Sequence, residues 1–204
     1  ILGPLLFLCY VNDMQLSVRC KLLLYADDSA LVVEGKDPME ISNSLGIELE
    51  NFHKWMVDNR LSLHLGKTEV ILFGSKRKLK RVKEFYVSYN GEKIQGVKQV
   101  KYLGFRMDQD NSGESTIQGI IQKVNYKLKF LYRQANFLNT DTKKTLCLAL
   151  IQPHFDNACS AWYSNLTQKL KNKLQVLQNK VVRFILGKNQ RNHVSTDDLL
   201  NLEM

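Results

Sequence analysis

The chain has 204 residues and carries 29 Lys and Arg against 20 Asp and Glu, a formal net charge of +9. At 44% hydrophobic residues it can bury a sizeable core, and its excess of positive charge suits a polyanionic partner. The longest apolar run, Leu5 to Val11, is far below the ~20 residues of a membrane-spanning helix, and no basic leader with a cleavage site opens the chain, so an intracellular protein is expected.

In chain order, the apolar stretch Ile1 to Val11 leads to a hairpin pattern. Lys21-Leu22-Leu23-Leu24-Tyr25 and Ser29 to Glu34 read as two strands, with Tyr25-Ala26-Asp27-Asp28 between them, so two adjacent carboxylates are expected at one hairpin tip. Most Asp-Asp pairs between strands are polar turns. Two carboxylates ~4 Å apart repel by about 4 kcal/mol at an effective dielectric of ~20, and a divalent cation offsets that repulsion. Hard oxygen ligands favour Mg²⁺ or Mn²⁺.

Asp37-Pro38-Met39-Glu40 then carries helix-start signals, and Ile41, Leu45, Leu49, Phe52 and Met56 recur at helical spacing, which predicts a helix from Pro38 to about Asp58 covering a sheet. Strands are expected at Thr68 to Phe73, at Phe85 to Tyr89 with Asn90-Gly91 turning into Glu92-Lys93-Ile94, and at Val100 to Met107. Near Asn111-Ser112-Gly113 the pattern changes to helical periodicity. Ile117, Ile120, Val124, Leu128, Leu131, Ala135 and Leu138 define one helix, a second is closed by Pro153, and a third runs from Leu166 to Gly187. A further helix start is expected at Ser195 to Leu200. Cys9, Cys20, Cys147 and Cys159 have neither Cys-x-x-Cys spacing nor a His cluster, so zinc and disulfides are not expected and the thiols read as reduced core residues.

The tetrad Tyr25-Ala26-Asp27-Asp28 and the preceding Ile1-Leu2-Gly3-Pro4-Leu5-Leu6-Phe7-Leu8-Cys9-Tyr10-Val11-Asn12-Asp13 together resemble the palm of reverse transcriptases, specifically those of non-LTR (LINE-type) retrotransposons. The resemblance extends along nearly the whole chain. Trp55, Asn59 to Leu63 and Lys67 to Phe73 resemble that family's next palm motif, and Val100 to Phe105 its primer-grip hairpin. Leu150 to Pro153, Ala161-Trp162 and Leu177 to Arg183 resemble the helical region after the palm. Group II intron maturases share the tetrad, but their upstream helix usually reads differently from Leu2-Gly3-Pro4-Leu5-Leu6.

The resemblance implies an α+β fold: a partial polymerase palm, an antiparallel sheet backed by helices, over residues 1–111, and an all-helical thumb-like region over 112–204. It implies a fragment of an RNA-directed DNA polymerase that extends a primer on an RNA template by two-metal nucleotidyl transfer. Asp27 and Asp28 would be metal ligands for Mg²⁺ or Mn²⁺, and Lys67 would protonate the leaving pyrophosphate. Tyr25 and Ala26 would lie beneath the primer end, Tyr102, Leu103 and Gly104 would hold the primer backbone, and Lys169, Lys171 and Lys173 would line a nucleic-acid groove. The implied partners are an RNA template, a DNA primer and deoxynucleoside triphosphates, in the cytoplasm and nucleus. Measured against the family pattern, the fingers, the strand with the first catalytic Asp and a Pro-Gln-Gly-Ser stretch would all precede Ile1. Two ions are therefore expected only in the complete enzyme, and the alternative expectation is a non-catalytic retroelement remnant that at most binds nucleic acid.

Overall fold

The structure, a computed structural model, describes residues 2–188 and 194–195. Its fold is mixed, with helices and small antiparallel ladders, and it divides into two compact units, residues 1–100 and 101–204. The helix expected from Ser195 lies outside the described residues.

The first unit opens with α1 (Leu2–Tyr10) and a 3₁₀ turn at Met14–Ser17, followed by the hairpin of β1 (Lys21–Tyr25) and β2 (Asp28–Val32). Helix α2 (Pro38–Asp58), which a single turn, α3 (Lys76–Leu79), follows further along the chain, has the limits that its sequence signals predict. Its start is fixed by the Asp37 carboxylate, whose Oδ2 accepts from the N–H groups of Met39 at 2.9 Å and Glu40 at 3.3 Å, a cap of about 1 kcal/mol. Leu49 and Phe52 are buried, and Ile41, Leu45 and Met56 are half-buried. Besides β2 and the Met14–Ser17 turn, the helix packs chiefly on β3 (Tyr86–Tyr89), which pairs with β4 (Glu92–Gln95). The helix lies close to that strand. Ser42 Oγ donates to the Tyr86 carbonyl at 2.6 Å, and a Cβ on Gly46 would sit 3.2 Å from the Ser88 carbonyl oxygen. Val11, Met14, Val18, Leu22, Val70, Val87 and Tyr89 complete this core.

Two expected strands take another form. Thr68 to Phe73 contributes a single parallel bridge, Val70 to Gly96, with the Val97 N–H donating to the Val70 carbonyl at 2.7 Å. The Gly96 N–H donates to the Phe85 carbonyl on its other edge, and the pairing with Val70 does not extend beyond this bridge. Val100 to Met107, one strand by its pattern and a hairpin by the resemblance, is a hairpin, β5 (Gln99–Tyr102) and β6 (Phe105–Asp108). Leu103 and Gly104 at its tip have φ of +46° and +87°, as do Asn90 and Gly91 with +46° and +79°, and two successive positive φ angles are the signature of a primed turn. Leucine is not a turn-former, so this turn carries a weaker sequence signal than Asn-Gly. The sheet is accordingly three separate two-stranded ladders.

The second unit is built on α4 (Glu114–Arg133) and α8 (Gln168–Leu186), with α5 (Thr140–Leu150), α6 (Gln152–Asp156) and α7 (Cys159–Trp162) between them. Ile117, Ile120, Val124, Leu128 and Leu131 form the buried stripe of α4, and Leu170, Leu174, Leu177, Val181 and Phe184 that of α8. Both follow the predicted three-and-four spacing. Pro153 stands in the first turn of the short helix α6, where its missing N–H costs nothing, and Gly187 closes α8 at φ +64°. Trp162 is buried, and Trp55 is packed against the core of the first unit. The thiols differ from the expectation of a common core role. All four are free, but Cys9 and Cys159 are exposed, Cys20 is half-buried, and Cys147 alone is buried.

Candidate functional site

The β1–β2 hairpin pairs Tyr25 with Asp28 across a two-residue connection, Ala26-Asp27. Asp28 is thus the first residue of β2 rather than part of the loop, one position earlier than the alternation of Ser29 onward suggests. Ala26 has φ +51°, the left-handed region that a tight connection of this kind demands at its first position. A residue with a Cβ pays roughly 1–2 kcal/mol there, so packing and ladder bonds in β1 and β2 hold the tip against that strain. Tyr25, Ala26, Asp27 and Asp28 are all exposed, Tyr25 at 63%. The tip therefore offers two carboxylates to solvent on a short, hydrogen-bonded stem, preceded by an aromatic ring that is not used for packing.

The apolar stem has a second property. β1 reads as a fully buried strand, yet only Leu22 is buried, and Leu23, Leu24 and Val32 are each about 40% exposed. α1 buries no residue at all, leaving Leu2, Leu5, Leu6 and Leu8 more than half exposed. Tyr10 ties α1 to the end of α2 by donating from its hydroxyl to the Asn59 carbonyl.

Lys67 ends the 3₁₀ turn Leu65–Lys67 with an exposed side chain, and its N–H donates to the His64 carbonyl at 2.9 Å. Tyr102, Leu103 and Gly104 form the turn of the β5–β6 hairpin, Tyr102 half-buried and Leu103 43% exposed. What Gly104 supplies is its φ of +87°, since a Cβ there would meet nothing closer than the Asn157 side-chain nitrogen at 3.8 Å.

Lys169 and Lys173 open onto one groove of about 330 Å³ between α4 and α8, shared with Lys180, Asn125 and Asn172 over a floor of Ile121, Val176 and Leu177. Lys171 is elsewhere, with Nζ 4.9 Å above the centre of the Tyr163 ring. Helix geometry explains the split: at 100° per residue Lys173 lies ~40° from Lys169, whereas Lys171 lies ~200° away. Lys180 shares the face of Lys169 and Lys173, and the same arithmetic applied to the sequence would have placed it in the set.

The donor chemistry at the β1–β2 tip fits a hard divalent cation in part. Asp27 and Asp28 offer carboxylate oxygens, but among the described residues no group of three His, Cys, Asp or Glu converges on one point. Asp108, the acid that ends the β5–β6 hairpin, is occupied. It is buried, its Oδ2 accepts from the Ser115 N–H at 3.1 Å and the Ser112 hydroxyl at 3.4 Å, and it serves as a cap for α4. Among the described residues no helix is long and apolar enough to cross a membrane.

A carboxylate-bearing hairpin of this kind, read with the segments on either side of it, defines a class: residues 1–107 match the family model of reverse transcriptase (RNA-dependent DNA polymerase), and the chain belongs to that family. Its relatives narrow the class to non-LTR retrotransposons, as the sequence resemblance indicated. The RNA-directed DNA polymerase from mobile element jockey of Drosophila funebris is 25% identical over 199 residues, and that of Drosophila melanogaster 23% over 198 residues. Each match covers 92% of this chain, which spans 21% of each relative. No solved structure matches the chain.

Proposed function

We propose that residues 1–111 are part of a reverse transcriptase palm and residues 112–204 a thumb-like helical region, which in the intact enzyme extend a DNA primer on an RNA template with deoxynucleoside triphosphates. The observation that carries this reading is the tip of the β1–β2 hairpin, where Asp27 and Asp28 are adjacent, exposed and held by a ladder within the segment that matches the family. Bound Mg²⁺ or Mn²⁺ would supply charge stabilisation to the attacking 3′-oxygen and the leaving pyrophosphate. Asp27 and Asp28 would hold the ions from one side. Tyr25 and Ala26 would support the primer terminus, and the Lys67 ammonium would deliver a proton to the pyrophosphate oxygen. The backbone at Tyr102, Leu103 and Gly104 would position the primer strand, and Lys169, Lys171 and Lys173 would neutralise phosphates.

Two carboxylates are fewer than a two-ion site requires, so the 204-residue chain alone is proposed to bind nucleic acid without extending a primer. The test is primer extension with Mg²⁺ or Mn²⁺ by three proteins side by side: this chain, a version that carries upstream coding sequence, and the Asp27→Asn variant of that longer version. Synthesis is expected from the longer protein only. Asp27→Asn should abolish nucleotide incorporation and leave primer-template affinity within about twofold, because it removes a ligand and barely changes the surface. Undiminished synthesis by Asp27→Asn would overturn the assignment of the tip, and synthesis by the 204-residue chain would overturn the proposed division of labour.

A further inference from the structure

The outward face of α4 carries an arrangement that the core does not use. With Ile117, Ile120, Val124, Leu128 and Leu131 turned inward, Lys123, Tyr126, Phe130 and Arg133 follow one another on the opposite side at spacings of three and four residues. Phe137 is exposed in the 3₁₀ turn Ala135–Phe137 that follows the helix. Tyr126 is 78% exposed, Phe130 59% and Phe137 84%. One exposed aromatic side chain is ordinary, but two interleaved with cations along a single helical face, with a third in the turn just beyond, form a candidate interaction surface. Tyr132 is not part of it, because its ring meets that of Phe184 edge-on at 4.9 Å.

We propose that this row, Tyr126, Phe130 and Phe137 with Lys123 and Arg133, is a stacking platform for the unpaired bases of single-stranded nucleic acid. The proposal rests on the nucleic-acid reading above and adds the strand state that α4 recognises. Two observations select the occupant. α4 carries Lys123, Lys127, Lys129 and Arg133 against a single acid, Glu114 at its far end, so the face suits a polyanion; Lys127 itself is turned aside, its Nζ donating to the Leu150 carbonyl at 2.6 Å. Flat aromatic faces beside those cations call for a partner with a π-face at each negatively charged repeat, which a single strand provides and a duplex, with its bases closed in the stack, does not. An acidic peptide would answer the charge and leave the rings without partners. A second copy of this chain would bring +9 against +9.

Fluorescence anisotropy of the full 204-residue chain with a labelled single-stranded RNA and with a duplex of the same length tests this. Tyr126→Ala, Phe130→Ala and Phe137→Ala change exposed positions, so the fold should persist, which far-UV circular dichroism checks. Each is expected to weaken single-strand binding by roughly 5- to 100-fold and to leave duplex binding within about twofold. Phe130→Tyr and Phe137→Trp keep a ring and should retain affinity. Lys123→Gln and Arg133→Gln should weaken single-strand binding and lower its salt slope by about one each. The platform is overturned if the alanine variants bind single strands as tightly as the parent, if they lose single strand and duplex equally, or if the parent self-associates and the variants are monomeric in light scattering. Wild-type chain that binds neither form would overturn the nucleic-acid reading itself, a result distinct from the others.

Discussion

Removing the Asp108 carboxylate should loosen the helical unit at one definable point. Asp108 ends β6 and is 8% exposed, and its Oδ2 accepts from the buried N–H of Ser115 in the first turn of α4. Gly113, which precedes the helix at φ +69°, has no side chain to do this, so a residue from the preceding hairpin provides the cap. Asp108→Ala removes a capping acceptor, worth about 1 kcal/mol, and a negative charge at the positive end of a 20-residue helix, worth up to ~2 kcal/mol when partly buried. The expected loss is therefore about 2–3 kcal/mol. Asp108→Asn retains an acceptor and loses the charge, for about 1–2 kcal/mol. Trp162 reports on this unit, since it is buried and its indole N–H donates to the Asn157 carbonyl at 3.0 Å. Urea unfolding followed by Trp162 emission in a Trp55→Phe background measures both variants. An Asp108→Ala protein within ~0.5 kcal/mol of its parent would refute the capping argument, and equal losses for Ala and Asn would refute the hydrogen-bond part of it.

Two further outcomes follow from burial. Burial, with Lys127 and Lys123 nearby, lowers the His154 pKa below its ordinary 6.5, so protonation favours the unfolded chain. Its contribution to stability is complete above about pH 6.5 and is lost as pH falls through the lower folded value; the difference in unfolding midpoint between wild type and His154→Gln should shrink over that window, and a pH-independent difference would contradict it. Desolvation pushes the Cys147 thiol up to about 12, so a thiol titration of native protein should count Cys9 and Cys159 quickly, Cys20 slowly and Cys147 only on unfolding, whereas four equally fast thiols would show that the core is open.

Much of this architecture is legible in the residues because local signals and tertiary demands agree. Asp37-Pro38 starts α2, Asn90-Gly91 turns β3 into β4, and the leucine and valine rows of α4 and α8 match their buried stripes. The disagreements have physical causes. Thr68 to Phe73 has strand composition, but a strand exists only where a partner offers its backbone, and Gly96 and Val97 offer one bond. Leu103 accepts a positive φ that its side chain resists, because a hairpin must turn between Tyr102 and Phe105 and Gly104 can supply only half of the turn. In the lysine set the periodicity was present and the grouping by adjacency hid it: Lys169, Lys173 and Lys180 share a face that Lys171 cannot reach. Asp108 follows a hairpin pattern at a place where acids are ordinary caps or turns, and the folded hairpin brings it to the Ser115 N–H.

The three hairpins differ in a way that bears on the proposed chemistry. At the β3–β4 turn, Asn90 and Gly91 take positive φ with residues suited to it, and no role in the reaction is proposed there. At the other two, Ala26 and Leu103 are held at +51° and +46° against a cost of roughly 1–2 kcal/mol each. A turn that only had to reverse the chain would gain stability from Asn or Gly at these positions, although Arg60 and Ala158 take the same backbone at +56° and +52° away from both tips. The side chain itself gives a reason. At Ala26 a glycine would free the backbone that fixes Asp27 relative to Asp28, and a methyl group is the smallest addition that restricts it. At Leu103 the exposed isobutyl group stands at the apex of the turn, where Asn would place a polar amide.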